Sequence, residues 1–274
     1  MRTALTALAL VASTGCLGSG RQATRPPAEL RVLVYNIHAG KDAGGVDNVE
    51  RVAAVVRESG ADVALLQEVD RNTERSGRVD QVAELARRTG LHAVFGRSLD
   101  FQGGYYGIAI LARWPAVADS TVHLPVTPAQ ARSGGSYEPR VLLHATVVAG
   151  GDTIHVLNTH LDASRADSYR MQEAAAVGSV VRALGARRAG RTLVLLGGDF
   201  NATPESAVRA RVEESGVRDA WPGCGAGEGF SYQACGPAKR IDYLFLLAPA
   251  RCTSARVLES DASDHRALLF TVAR

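Results

Sequence analysis

Asp199 and Asn201 stand one residue apart, directly after two glycines, in the stretch Leu195-Leu196-Gly197-Gly198-Asp199-Phe200-Asn201-Ala202-Thr203-Pro204. A carboxylate can activate a water, and a neutral amide beside it can hold a polar substrate oxygen. In an extended segment this spacing points the two side chains to opposite faces. A turn after Gly197-Gly198 can aim both at one point. The plainer reading is an Asx-rich turn, and taken alone the stretch favours it.

Its company changes that balance. Asn36, Glu68, His160, Asp242 and the pair Asp264-His265 also follow or end apolar runs, where a carboxylate or imidazole is costly unless paired or hydrated. Each alone has a structural explanation: Glu68 as a cap, His160 as a satisfied core histidine, Asp242 as a partner of Arg240. Together they are hard oxygen donors, two histidines and neutral amides, a set suited to a phosphate and a hard metal such as Mg²⁺.

The elements that must position these residues alternate between strand and helix from Leu30 onward. Residues 31–37 form a buried-strand run ending at Asn36 and His38, and 62–69 form the next, with Gln67 and Glu68 at its end. Between them, 46–58 place Val46, Val49, Val52, Ala53 and Val56 on one helical face. Residues 79–89 read as helix, and 92–95, 108–113 and 116–124 as strands. Residues 140–148 and 153–158 are two strands joined by Ala149-Gly150-Gly151-Asp152, a hairpin turn. A long helix over 166–187 turns Val177, Val180, Val181 and Leu184 inward. Residues 192–196 are a strand bounded by glycines, followed by a helix start with Thr203 as N-cap and Pro204 in its first turn. Residues 241–247, 253–258 and 266–272 close the chain as strands. Two rounds of strands with helical crossovers and hairpins predict an α/β fold of two mixed sheets packed face to face, helices outside. No composition break splits 30–274.

The chain has 274 residues, 46% hydrophobic and 22% charged, which is ordinary globular composition able to bury a large core. A net charge of +3 is too small to argue for nucleic acid. Residues 1–16 read as an export signal: Met1-Arg2, an apolar stretch over 4–12 too short to span a bilayer, then Ser13-Thr14-Gly15-Cys16. That ending resembles a bacterial lipobox, with Cys16 lipidated and a membrane anchor as the consequence; an ordinary cleaved signal with an incidental cysteine is the alternative. Residues 17–29 read as a tether. In an exported chain Cys224 and Cys235, which flank a glycine-rich loop, are the expected disulfide, leaving Cys252 unpaired.

Six motifs in order resemble the endonuclease/exonuclease/phosphatase superfamily: Tyr35-Asn36-Ile37-His38, Leu66-Gln67-Glu68-Val69, Asn158-Thr159-His160-Leu161-Asp162, Gly198-Asp199-Phe200-Asn201, Arg240-Ile241-Asp242-Tyr243 and Ser263-Asp264-His265-Arg266. The resemblance runs from Leu30 to the C-terminus. It implies a four-layer α/β/β/α sandwich. It implies Glu68 as the main ligand of Mg²⁺ or Mn²⁺, with Asn36 beside it and Asp264 available to a metal. Asp199 would orient or deprotonate the attacking water, and Asn201 would hold a phosphate oxygen. His265 would be the catalytic histidine, its tautomer fixed by Asp242. His160 would be a leaving-group acid or phosphate donor. Arg140 is read either as a site residue or as half of a structural ion pair. Many members carry Asn where this chain has Ile108.

The expectation is a metal-dependent phosphodiester hydrolase, exported and monomeric, acting on nucleic acid or on a phospholipid or small phosphoester. The loops 101–106, 127–139 and 221–239 hold aromatics and arginines that suit either substrate. A surface binding module that kept the sandwich but lost activity is the rival reading. A missing catalytic residue would have favoured it, and none is missing.

Overall fold

Alternation decides how the strands face. In strand β1 (Glu29–Asn36), Leu30, Val32 and Val34 point into a core between two sheets, while Leu33 and Tyr35 point to the opposite side, under helices. The computed structural model describes residues 29–124, 126–128 and 138–273. The signal, Cys16, most of the tether and most of the 127–139 loop lie outside the described residues.

Strand β2 (Val63–Arg71) runs parallel to β1, and helix α1 (Val49–Ser59) is their crossover. After helix α2 (Gln81–Thr89) come β3 (His92–Phe101), β4 (Gly104–Ala112) and β5 (Ala116–Leu124). Then follow β6 (Arg140–Ala149), β7 (Asp152–His160), helix α3 (Ser168–Ala186), β8 (Thr192–Asp199) and helix α4 (Ala207–Glu213). The last elements are β9 (Val217–Asp219), the short helix α5 (Trp221–Cys224), β10 (Asp242–Leu247), β11 (Arg251–Val257) and β12 (Leu268–Ala273). The first sheet has the order β11-β12-β1-β2-β4-β3, the second β5-β6-β7-β8-β10-β9. Apolar side chains of both fill the space between them, while α1 and α2 cover the first sheet and α3 and α4 the second. This is the four-layer sandwich.

Several local expectations are corrected. The α1 helix starts at Val49, not Val46, because Asp42 accepts hydrogen bonds from the backbone of Gly44 and Val46 and holds them in a turn. Val46 is left exposed. The helix expected at Thr203 starts at Ala207, where Ser206 is the N-cap and accepts from Val208 N–H; Thr203 instead opens the preceding turn. Residues 101–106 are the tip of the β3–β4 hairpin rather than a free loop. The disulfide joins Cys224 to Cys252, not to Cys235, which is free and exposed. The cause is packing: α5 lies against β11, bringing these two cysteines to a Cα separation of 5.7 Å.

Candidate functional site

Parallel β1 and β2 end where antiparallel β12 begins, and parallel β7 and β8 end where β6 and β10 begin. One end of the sandwich therefore collects the tail of four strands and the head of three. Asn36, Glu68, Arg140, His160, Asp199, Asn201, Asp242, Asp264 and His265 all lie there. Strand register places His160 beside Asp199 across β7–β8, and Asp242 opposite Asp199 across β8–β10. Gly198 makes this row possible. A Cβ on Gly198 would lie 1.9 Å from the carbonyl oxygen of Thr159, so only glycine lets β8 approach β7 just before Asp199.

Asp199 is the hub. It is buried, and its Oδ2 accepts from Asn36 Nδ2 at 3.0 Å, with His160 Nε2 at 3.6 Å and His265 Nε2 at 3.7 Å. Its Oδ1 accepts the backbone N–H of Asn201 at 2.8 Å. Burial, and then the nearby charge of Asp242, push its pKa up to about 7, against the pull of His265 and these hydrogen bonds.

Glu68 reaches the site through a break in alternation. Leu66 pairs with Ala109 and Val69 with Gly107, so Gln67 and Glu68 together oppose the single residue Ile108. This bulge, with Glu68 at a φ of 56°, turns the carboxylate to the strand end while Val69 resumes packing under the helices. Gln67 faces the core and donates to Asn158 Oδ1 at 2.7 Å. The Asn158 amide in turn donates to the carbonyls of Leu66 and Ala109, both at 2.9 Å. Asn158 thus ties the two sheets together at the bulge, a role its motif did not disclose. Asn36 Nδ2 donates to Glu68 Oε1 at 3.0 Å as well as to Asp199, and Ser263 Oγ donates to Asn36 O at 2.8 Å, anchoring the turn that carries Asp264 and His265.

His265 Nδ1 is 2.8 Å from Asp242 Oδ2. Burial alone would lower the proton affinity of this imidazole. Asp242, by charge and hydrogen bond, and then Asp199 and Asp264 outweigh it and raise the pKa to about 10. At neutral pH the ring is an imidazolium whose Nδ1–H is given to Asp242 and whose Nε2–H faces Asp199. Arg240, the partner otherwise open to Asp242, forms a buried ion pair with Asp219 instead, at 3.1 and 2.7 Å. His160 behaves oppositely: burial, then Arg140 and His265, hold it well below the usual histidine range. Its Nε2 lies 3.0 Å from Asn201 Nδ2, which also donates to Leu161 O at 3.0 Å. With Nε2 an acceptor, the proton of this neutral ring sits on Nδ1, a buried atom with no partner among the described residues. Both Asn201 amide hydrogens are engaged, so a phosphate oxygen can take one only in competition with His160.

Asp199, Asp242 and His265 offer ligand atoms within 4.8 Å of one another, close enough for one cation. The short His265–Asp242 bond argues against that use, since a cation between them would replace it. The set that fits a hard cation is Asn36, Glu68 and Asp264, oxygen donors without thiol beside the carboxylate of Asp199. Asn36 Oδ1 accepts from His38 N–H at 3.0 Å, which leaves its second lone pair for a cation. Asp264 is half-buried beside its Ser263 hydroxyl at 3.3 Å. Arg140 is buried and pairs with Glu138 at 3.0 Å, which is the structural alternative, yet it also borders His160 and Glu68.

Two neighbours escaped the sequence reading. Tyr232 packs its ring 4.7 Å from that of His265 and walls the site. Glu173, on the inward face of α3 with Val177 and Val181, is buried, accepts from Asp162 N–H at 2.8 Å, and is raised to about 7 by burial. Its signal was a carboxylate at helical spacing on an apolar face.

A family model described as Endonuclease/Exonuclease/phosphatase family matches residues 33–265. A mannosyl-6-phosphatase from Bacteroides thetaiotaomicron superposes with a TM-score of 0.73 at 19% identity, over 89% of this chain and 100% of that one. An endonuclease/exonuclease/phosphatase from Beutenbergia cavernae gives 0.69 at 24% identity, over 89% and 71%. Truncated TDP2 from Caenorhabditis elegans gives 0.68 at 25% identity, over 90% and 98%.

Proposed function

Because the chain belongs to the endonuclease/exonuclease/phosphatase family, whose members hydrolyse phosphoesters, we propose that it is a divalent-metal-dependent phosphodiester hydrolase centred on Asp199. The observation that carries this reading is the convergence on one buried carboxylate of Asn36, His160 and His265, with Asn36 linking it to Glu68. Asp199 would take the proton of the attacking water. His265, charged and held by Asp242, presents Nε2–H to the phosphate and has the proton that the leaving oxygen needs. His160 is neutral, with Nε2 an acceptor, so it suits positioning of Asn201 better than acid catalysis. Asn36, Glu68 and Asp264 would hold Mg²⁺ or Mn²⁺, which supplies neutralisation of the phosphate charge when bound.

The substrate class in this reading is a nucleic acid, a phospholipid or a small phosphoester. The enzyme works as an exported monomer, anchored to the membrane through lipidated Cys16. The Cys224–Cys252 disulfide supports export, since such bonds persist in oxidising compartments. Among the described residues no helix is long and apolar enough to cross a membrane. Hydrolysis of DNA, RNA, sphingomyelin, phosphoinositides and mannose 6-phosphate, each with Mg²⁺, Mn²⁺ or excess chelator, tests the reading. Metal-restored turnover of a diester is expected. Full activity in chelator would remove the metal, and turnover of monoesters alone would remove the diester specificity. Binding without turnover of any of them would favour the inactive module. Mass spectrometry of the exported chain should find Cys16 as its modified N-terminus.

A further inference from the structure

Beside the bulge that aims Glu68, Arg75 is fixed from several directions while one edge of its guanidinium stays free. Its Nε and Nη2 donate to the two oxygens of Asp70 at 2.7 and 2.9 Å. That carboxylate is fully buried and also accepts from Thr73 Oγ1 at 2.8 Å. The Arg75 backbone N–H donates to Gln102 Oε1 at 2.8 Å, locking its turn to the β3–β4 hairpin tip. The guanidinium carbon lies 4.7 Å from the ring centre of Phe101 and 5.3 Å from that of Tyr106. Nη1 has no partner among the described residues, and 33% of the side chain reaches solvent. Glu68 is near enough to act on its charge, and Tyr106 Oη donates to Glu138 at 3.4 Å on the way to Arg140.

An ion pair that only neutralised Asp70 would not need two aromatic contacts. Their effect is to hold a planar cation in one orientation, with the two N–H groups of Nη1 left without a partner among the described residues. An arginine fixed in this way has little rotamer freedom left to lose when an anion binds. Its free edge matches phosphate oxygens in geometry and charge.

We propose that Arg75 forms an anion subsite beside the hydrolytic centre, taking a second phosphate group of the substrate while the scissile phosphate lies against Asp199. The inference rests on the phosphoesterase reading above and adds that the preferred substrate carries two phosphates. These are either neighbouring phosphates of a nucleic acid strand or the two of a small bisphosphate. The hairpin tip, with Phe101 as one wall, then becomes part of substrate recognition.

Calorimetric titration with orthophosphate and pyrophosphate at matched free Mg²⁺ tests the subsite without turnover. The wild type should prefer pyrophosphate by about tenfold, and Arg75→Lys, which keeps the charge but loses the fork, should lose most of that preference. Phe101→Leu, which leaves the Asp70 pair intact, should lose part of it and guards against misfolding of the lysine variant. Two kinetic arms name the source: a dinucleotide with and without a 5′-phosphate, and a hexose 1,6-bisphosphate against the monophosphate. In the responding arm Arg75→Lys should raise KM for the two-phosphate member about tenfold with kcat unchanged. Equal affinity of the wild type for both anions would overturn the subsite, as would an equal loss on one-phosphate and two-phosphate ligands. Absent turnover with the pyrophosphate preference intact would remove the hydrolytic reading and leave the subsite standing.

Discussion

Two histidines of this molecule, His265 and His144, each set beside a titratable neighbour, have opposite fates. At the strand ends, His160 and His265 flank Asp199, and His265 keeps its proton to a pKa of about 10. On β6 and β7, beside β5, His144 Nε2 lies 3.0 Å from His155 Nδ1 with Thr146 Oγ1 at 3.4 and 3.2 Å. Burial, then the neighbouring His155, lowers His144 to about 4. His265 is the more deeply buried of the two, so desolvation does not decide the outcome. The carboxylate partner does. A histidine facing Asp242 is built to be a cation, and one facing another histidine is built to be neutral. The partner's charge, not burial, separates His265 from His144.

The sharpest way to break that contrast is Asp199→Asn, which removes the hub while preserving its size. If the carboxylate is the base, turnover should fall by about 10²–10⁴. Stability should hold or rise at pH above 7, because the buried carboxylate is strained toward its neutral form. Rate assays and thermal melts across pH check both. An unchanged rate would place the chemistry elsewhere.

Asn201→Ala should come next, with a loss of about 10²–10³ in kcat if its amide serves the growing charge on phosphate. Because the same amide also holds His160, a gain in kcat from His160→Ala alone that vanishes in the Asn201→Ala background would show that His160 and phosphate compete for that amide. Single and double variants assayed at saturating metal separate these cases.

The smallest effect belongs to the other pair. A histidine whose folded pKa lies below its unfolded value of about 6.5 contributes stability that is present above 6.5 and lost as pH falls toward 4. His265, raised, works the other way: its contribution is present below 6.5 and lost as pH rises through about 10. His144→Gln should therefore flatten the acid limb of a Tm–pH profile between 6.5 and 4 and leave kcat unchanged. A steep acid limb surviving in this variant would assign it to other groups.

How much of this was legible depended on whether one strand or several were involved. Residues 31–37, 62–69 and 192–196 announce buried strands, and their polar ends announce themselves, because a carboxylate closing an apolar run is costly without a partner. The sandwich and the clustering of strand ends follow. What could not be seen were relations between distant strands. That Glu68 rather than Gln67 turns to the site depends on a bulge opposite Ile108, a fact about pairing with β4. Cys252 finds Cys224 because α5 rests on β11, against the sequence proximity of Cys235. Arg240 prefers Asp219 because that carboxylate is already fixed by Trp221 N–H at the start of α5. Val46 looked helical by spacing, and a local Asp42 turn overrode it.

Whether Asp242 and His265 act as one unit at a hydrolytic centre is tested most directly by a double-mutant cycle on turnover. Folded Asp242→Asn, His265→Ala and their combination are assayed at saturating Mg²⁺ on the best diester. If Asp242 holds the imidazolium, each single change should cost a similar, large factor and the double variant little more than either. Near wild-type rates in both single variants would contradict the account, and fully additive losses would break the pairing while leaving His265 a role of its own.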